Sequence, residues 1–196
     1  MTYLGRGWQY TTYDLGNGRV RKIYNSKRIG YLIIAKDAFL KFWEVPKLYA
    51  RCKEKAEHSM RVIPTLQVES WMMGNPTILN ELDYEQDKAT PLHRHLQSVD
   101  TEIGKKIIDA FVELTTYMRG KGVIDKSFKI DKNFGLDAQG RIILLDLGEL
   151  YTDERVIAKR IEERPWEFSA KFIPKALRTY FLKQMQEAFI KAQIQS

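Results

Sequence analysis

One late segment of the chain contains an asparagine and an aspartate whose spacing suits them to hold a cation. Asn133 stands at the start of a predicted strand, a tight turn follows at residues 137–140, and Asp146 ends the partner strand. A tight turn brings the start of the first strand beside the end of the second, so both side chains project from the same end of the hairpin. Their oxygens could grip one cation, and hard oxygen ligands with a water-rich shell are what Mg²⁺ prefers.

A second group of candidate residues stands near the start of the chain. Residues 5–10 read Gly-Arg-Gly-Trp-Gln-Tyr at the beginning of a predicted hairpin, and Lys22 ends the return strand. Neighbouring strand residues point to opposite faces of a sheet, so Lys22 shares a face with Val20 and not with Arg21. The pattern predicts one lysine beneath a glycine-containing loop.

The order of these features resembles the protein-kinase and aminoglycoside-phosphotransferase superfamily, whose members use ATP and Mg²⁺. The resemblance implies that Gly5 and Gly7 belong to the loop that covers the phosphates and that Lys22 holds the α- and β-phosphates. It also implies that Asn133 and Asp146 are the metal ligands, with Leu147 standing where the family usually has Phe.

The resemblance implies two further sets of binding residues. A helix glutamate that pairs with the strand lysine is expected, and Glu57, at the edge of a predicted apolar helix stripe, is the candidate, with Glu44 as the alternative. The hinge that binds the adenine edge through its backbone is expected where a strand ends, and the residues nearest to the base are then Glu85, Gln86 and Asp87.

The catalytic base departs from the family pattern. The position five residues before Asn133, where the family carries Asp, is Phe128, and two aspartates flank it. Asp125 follows the end of a helix as the family's base does, and a loop three residues longer would let it orient or deprotonate an acceptor hydroxyl. Asp131 is too close to Asn133 along the chain to be expected to reach an acceptor hydroxyl.

The surrounding pattern predicts an α+β protein with two unequal lobes, a small antiparallel N-lobe at residues 1–87 and a reduced, mainly helical C-lobe at residues 88–196. Residues 31–35 fit either a strand or a helix start. The other predicted elements are a hairpin at 9–24, helices from an N-cap at Asp37 through Phe39 and Phe42 to Met60, strands at 66–71 and 78–86, a helix at 101–118, a second hairpin at 133–147, and helices at 153–196 broken by Pro165 and Pro174.

Composition limits the possible environment and partners. The chain has 196 residues, a formal net charge of +7 and a single cysteine, Cys52, so an intrachain disulfide is excluded and a reducing cytoplasm is expected. No apolar stretch approaches the length of a membrane span and the start of the chain shows no leader pattern, so we expect an intracellular protein without membrane partners. Because the basic residues are dispersed along the chain, they favour a solvated surface over a nucleic-acid-binding domain, which remains a further alternative.

Two functions therefore follow from the resemblance. The first is an ATP- and Mg²⁺-dependent phosphotransferase that acts on a hydroxyl group of an unidentified protein or small molecule. The second is a nucleotide-binding pseudokinase or regulatory module, which the displaced aspartate and the short C-lobe would favour.

Overall fold

A computed structural model of the chain describes residues 1–37 and 43–191, and an antiparallel sheet forms its first part. In chain order the elements of this part are β1 (Thr2–Arg6), β2 (Tyr10–Asp14), β3 (Arg19–Tyr24), α1 (Lys27–Asp37), α2 (Val45–Val62), β4 (Thr77–Ile78) and β5 (Tyr84–Asp87). The strands within these ranges are arranged in the order β1-β2-β3-β5-β4. Thr12 is opposite Lys22, and Lys22 is opposite Tyr84, so these three side chains share one face.

The predicted first hairpin is confirmed as β2 and β3, with Gly16 and Gly18 adopting φ values of 83° and 78° in its turn. The strand β1 was not predicted from the sequence. Its pairing with β2 makes residues 7–10 a turn, in which the Gly7 N–H donates to the Tyr10 carbonyl at 2.8 Å.

Residues 31–35 are helical, as part of α1. Asp37 is helical, as part of α1, so its prediction as the N-cap of a following helix is wrong. This helix starts at Lys27, ten residues before Asp37, and Gly30 lets its backbone approach the Tyr49 ring of α2, where any larger side chain would collide. Phe39 and Phe42, which the prediction placed in a helix, lie outside the described residues.

The predicted strand at residues 66–71 is wrong. Two 3₁₀ turns, Ile63–Thr65 and Ser70–Met73, occupy this stretch, and the second ends at Gly74 with a φ of 67°. The apolar residues that alternate here, Leu66, Val68 and Trp71, contact the core from irregular chain and 3₁₀ turn rather than from a strand. The predicted strand at 78–86 is interrupted between β4 and β5, because the Asn80 side chain accepts the N–H groups of Leu82 and Asp83 and forms a turn.

The second part of the chain is mainly helical. Its elements are β6 (Thr90–Pro91), α3 (Leu92–Ser98), α4 (Thr101–Gly120), β7 (Ile124–Asp125), β8 (Phe134–Leu136), β9 (Ile142–Leu144), β10 (Leu150–Tyr151), α5 (Glu154–Glu162), α6 (Trp166–Ala170) and α7 (Lys175–Gln186). The predicted long helix is confirmed as α4, which Asp100 caps by accepting the Ile103 N–H at 2.9 Å. The predicted second hairpin is confirmed as β8 and β9, with Phe134 opposite Leu144.

One apolar core supports the second hairpin from below. On the buried face of α4, Phe111 packs edge-on against Phe134, with ring centres 4.8 Å apart. Its ring is tilted against that of Phe181 of α7, with ring centres 6.0 Å apart. The predicted helical character of the end of the chain is confirmed for the described residues, with Pro165 and Pro174 as N-caps of α6 and α7. The molecule is therefore α+β, and none of the helices in the described ranges combines the length and apolar character needed to cross a bilayer.

Candidate functional site

A cavity of about 550 Å³ is bordered by both parts of the molecule, and it brings together four of the predicted site residues, Gly7, Lys22, Asn133 and Asp146. Lys22 enters it from β3, Asn133 from the residue before β8, and Asp146 from the second residue after β9. The ends of the hairpin are held together because the Leu145 N–H donates to the Asn133 carbonyl at 2.6 Å. The prediction that the two side chains share one end of the hairpin is thus confirmed.

Lys22 is fixed directly beside the aspartate. Its ammonium group donates to the carbonyl of Leu145, the residue before Asp146, and lies 5.6 Å from the centre of the Tyr84 ring. Burial lowers the pKa of Lys22, and the charge of Asp146 opposes this shift by raising it. The ammonium keeps further donors for a ligand, because a lysine carries three.

The polar ends of Asn133 and Asp146 are partly committed to the protein. The Asn133 amide nitrogen donates to Asp125 Oδ1 at 2.9 Å and to Ser127 Oγ at 3.1 Å, while Asp146 Oδ1 accepts the Gly148 N–H at 3.1 Å. Within the described ranges, Asn133 Oδ1 and Asp146 Oδ2 accept no hydrogen bond.

These two free oxygens fit Mg²⁺. Mg²⁺ usually takes one or two protein oxygens and completes its shell with water and phosphate, so a larger protein cage is not required. In residues 1–37 and 43–191, no cluster of three or more His, Cys, Asp or Glu side chains is arranged to hold a metal ion.

Asp125 lies behind Asn133 and does not line the cavity. It is 3% exposed, and its Oδ2 accepts both the N–H and the hydroxyl of Ser127 at 3.1 Å. Burial raises the pKa of Asp125 to about 6, with the hydrogen bond from Asn133 opposing the shift. The displaced aspartate is therefore next to Asn133, although it reaches the cavity only through its neighbours.

The loop between Asp125 and Asn133 places Phe128 in the apolar core. Phe128 adopts a φ of 47° and packs edge-on against Trp166 at 5.7 Å and Phe189 at 5.1 Å. A positive φ is uncommon for an aromatic residue, and here the core contacts compensate for it. Asp131 is also buried, and its carbonyl bonds to His93 Nδ1 at 2.7 Å.

Replacing Asp125 by Asn should change the pH dependence of stability. The folded pKa of about 6 exceeds the ordinary value of 3.8, so the folded state binds this proton more tightly, and the stabilisation is present at low pH and lost as the pH rises through about 6. The free energy of unfolding of Asp125→Asn minus that of the wild type should therefore increase by about 2 kcal/mol between pH 4 and pH 7. Urea titrations at each pH measure this difference, and Asp153→Asn, an exposed N-cap, is the control.

Glu57 does not pair with Lys22. Its carboxylate binds Lys53 at 3.0 Å on the same helix. The face of α2 toward the cavity carries Cys52 and Lys55, and Glu57 lies roughly 200° around the helix from Lys55. The ion pair that joins α2 to the cavity has the opposite arrangement, because Lys55 of the helix binds Glu149 at 3.5 Å.

The predicted hinge residues do not line the cavity. The carboxylates of Glu85 and Asp87 lie on the other face of the sheet, where they bind Arg21 at 2.6 Å and Arg19 at 3.0 Å. Gln86 is fully buried, and neither polar atom of its side chain has a hydrogen-bond partner among the described residues.

The backbone N–H groups at the end of this segment are also hydrogen-bonded within the protein. The Asp87 N–H donates to the Gly74 carbonyl at 2.6 Å, and the next residue, Lys88, donates its N–H to Gly18 at 2.9 Å. The 3₁₀ turn before Gly74 packs against the end of β5, so the N–H groups of residues 87 and 88 are bonded within the protein.

The glycine-containing turn closes the top of the cavity. Gly7 lines the cavity, whereas Gly5 lies inside β1 and does not. The Gln9 amide nitrogen donates to the carbonyls of Cys52 at 3.0 Å and Gly148 at 3.2 Å, so the turn is tied to α2 and to the segment after Asp146. Tyr10, which replaces the third glycine of the family pattern, is buried against two other tyrosines of the sheet.

Gly148→Ala should destabilise the protein because this contact leaves no space for a side chain. An added Cβ would lie 2.7 Å from both Gln9 Oε1 and the Tyr10 ring. We expect a loss of about 1 to 3 kcal/mol in the free energy of unfolding, measured by urea titration. Gly7→Ala is the matched control, since a Cβ there meets nothing within 4 Å, and equal losses in the two variants would contradict the described contact.

Comparison with known proteins identifies a fold relative. No protein-family model matches the sequence, and no curated protein matches it. The chain is similar to the crystal structure of WbdD, with a TM-score of 0.54 and 12% sequence identity over 96% of this chain and 45% of that one. At this identity the similarity concerns the fold alone. The chain spans less than half of the WbdD chain.

The charge of the cavity is a feature that the sequence analysis did not identify. Its acidic lining residues are Asp37, Asp146 and Glu149, and its basic ones are Arg6, Lys22, Arg51, Lys55, Lys126, Lys129 and Lys132. The basic residues come from four separate segments, so they look dispersed along the chain. The one local signal was the recurrence of lysine every third residue from 126 to 132, just before Asn133. The excess of positive charge makes this a cavity for anions.

Proposed function

We propose that the protein is an ATP- and Mg²⁺-dependent phosphotransferase that transfers the γ-phosphoryl group to a hydroxyl acceptor. The observation that carries the proposal is the convergence of Lys22, Asn133 and Asp146 on one basic cavity.

The donor phosphates would lie between Lys22 and the hairpin. Lys22 is held at the Leu145 carbonyl with donors to spare, so it can bind phosphate oxygens without reorganising. A cation that burial has already partly desolvated interacts more strongly with an anionic ligand than one in water.

The residues behind the cavity would fix the metal-binding pair. Asp125 accepts a hydrogen bond from the Asn133 amide nitrogen. This bond fixes the amide so that its oxygen is the atom available to a ligand. Mg²⁺ held by Asn133 and Asp146 would neutralise charge on the phosphates when it is bound.

The transfer itself requires a path for one proton. The acceptor oxygen attacks the γ-phosphorus, the bond from that phosphorus to the β–γ bridging oxygen breaks, and ADP leaves. The hydroxyl proton would pass to Ser127 Oγ as Ser127 gives its own proton to Asp125 Oδ2, 3.1 Å away. A pKa of about 6 keeps Asp125 ionised at neutral pH and therefore able to accept it.

The alternative of a catalytically inactive nucleotide-binding module is not favoured. It rested on an aspartate displaced from the catalytic position and on the short C-lobe, and the first of these weakens because Asp125 is hydrogen-bonded to Asn133 in spite of the longer loop.

The direct test is to incubate the protein with ATP, Mg²⁺ and a panel of sugars, sugar phosphates, nucleosides and serine-containing peptides. The products are followed by ³¹P NMR, which distinguishes a new phosphoester from inorganic phosphate. We expect ADP and one phosphorylated acceptor class, both dependent on Mg²⁺ and on Ser127. Absence of ADP formation with every acceptor, together with no effect of Mg²⁺-ATP on thermal stability, would overturn the proposal.

A further inference from the structure

A second cavity, of about 390 Å³, adjoins the first, and Lys129 lines both of them. We propose that the second cavity is the acceptor subsite and that the acceptor is a small molecule already carrying a phosphate group, which Lys129 binds. This inference rests on the proposed function and names the substrate class of the same site.

The location of the second cavity relates it to the proposed proton path. Ser127 lines this cavity, and its hydroxyl lies 3.1 Å from both Asp125 Oδ2 and the Asn133 amide nitrogen. A hydroxyl compound in the second cavity would therefore contact the side chain that leads to Asp125. A compound in the first cavity would contact the metal-binding pair instead. The junction at Lys129 is where donor and acceptor would meet.

The charges around the second cavity leave one cation without a counter-ion. Arg160 binds Glu163 at 2.6 Å, and Arg164 binds Glu167 at 3.6 Å, so these two arginines are neutralised within the protein. Lys129 is half-buried, and its side-chain ammonium forms no ion pair or hydrogen bond within residues 1–37 and 43–191, although its backbone carbonyl accepts the Asn133 N–H at 2.8 Å.

The carboxylate that influences Lys129 belongs to Asp131. This carboxylate is almost completely buried, forms no ion pair with the Lys129 ammonium among the described residues, and has an Oδ1 without a hydrogen-bond partner there. Asp131 is therefore not an ion-pair partner of Lys129. A half-buried ammonium without a partner is unfavourable, and a bound phosphate would compensate it with charge-assisted hydrogen bonds.

The remaining walls of the second cavity fit the rest of a polyhydroxy compound. Ser169 is 0% exposed, lines the cavity and has an Oγ without a hydrogen-bond partner among the described residues. Phe168 lines the same cavity and is 59% exposed, which is unusual for a phenylalanine and offers a flat apolar surface. A hydroxyl partner and an aromatic face are what a sugar or polyol ring requires. The unpaired positive charge of Lys129 disfavours cationic acceptors such as aminoglycosides.

Calorimetric titration of inorganic phosphate tests the subsite. The protein is first saturated with Mg²⁺ and a non-hydrolysable ATP analogue, so that the donor site is filled. We expect phosphate to bind this complex, and we expect Lys129→Gln to weaken its binding by about tenfold or more, because a charged hydrogen-bond partner is lost. Lys175→Gln, at an exposed lysine of α7, is the matched control and should leave phosphate binding unchanged.

Two outcomes would overturn the acceptor inference: no binding of phosphate to the nucleotide-saturated protein, or equal weakening by Lys129→Gln and Lys175→Gln. If the ATP analogue itself does not bind, the proposed function fails, and phosphate is titrated into the free protein. Weakening by Lys129→Gln would then retain the anion subsite alone. Weakening by Lys22→Met instead would reject it.

Discussion

Asp146→Asn should lower Mg²⁺-dependent phosphoryl transfer from ATP by about a thousandfold or more. Asparagine has the shape of aspartate and can still accept the Gly148 N–H through Oδ1, so the local backbone should be retained. What the substitution removes is the negative charge beside the free oxygen of Asn133, on which the proposed Mg²⁺ site depends. The measurement is the rate of ADP formation at saturating Mg²⁺.

The control for this variant is Glu113→Gln, which removes a carboxylate from an exposed position on α4, outside the cavity. Its rate should equal that of the wild type. An Asp146→Asn enzyme that retained a third of the wild-type rate would contradict the role proposed for Asp146.

Lys22→Met should abolish most of the affinity for Mg²⁺-ATP without lowering the stability of the free protein. Methionine retains much of the side-chain volume, and burial already lowers the pKa of Lys22, which means that the buried charge is itself unfavourable. We therefore expect a melting temperature equal to or above that of the wild type, and transfer reduced by about a hundredfold. Calorimetric titration of the nucleotide and thermal melting of the free protein measure the two effects separately.

Arg21→Met is the matched control for Lys22→Met. Arg21 is the neighbouring residue on β3, and its guanidinium binds Glu85 on the opposite face of the sheet. This variant should bind Mg²⁺-ATP like the wild type. Equal losses of nucleotide affinity in the two variants would indicate a general disturbance of β3 and not a phosphate contact of Lys22.

The sequence was sufficient to predict the hairpin that carries Asn133 and Asp146 because its geometry is local. Asn133 and Asp146 are connected by two short strands and one turn, in which the Asp137 side chain accepts the N–H groups of Gln139 and Arg141 at 2.9 Å. Once such a turn is recognised, the register of the strands follows, and so does the shared direction of the two side chains.

Contacts between distant segments explain what could not be predicted. The rotation of α2 decides which of its residues faces the cavity, and that rotation depends on packing against α1 through Gly30 and on the bond from Gln9 to Cys52. Local periodicity identifies the apolar stripe of a helix but not the orientation of its polar edge. It therefore predicts Glu57 at the cavity, where the structure has Lys55.

The region expected to be the hinge illustrates the same limit. The sequence correctly predicts extended chain around residues 84–87, yet the backbone partners of Asp87 and Lys88 come from Gly74 and Gly18. Nothing in the strand itself indicates that these partners are present, since both are glycines of distant turns.

The thermal stability of the wild type, Asp146→Asn and Lys22→Met with and without Mg²⁺-ATP tests the central claim most directly. Ligand that binds only the folded state raises its stability, by about 2.7 kcal/mol at a hundredfold excess over Kd, which corresponds to roughly 5 to 10 °C for a chain of this size. We predict such a shift for the wild type, dependent on Mg²⁺ and absent from both variants. A wild-type protein that shows no shift, or variants that shift as much as the wild type, would contradict a nucleotide site formed by Lys22, Asn133 and Asp146.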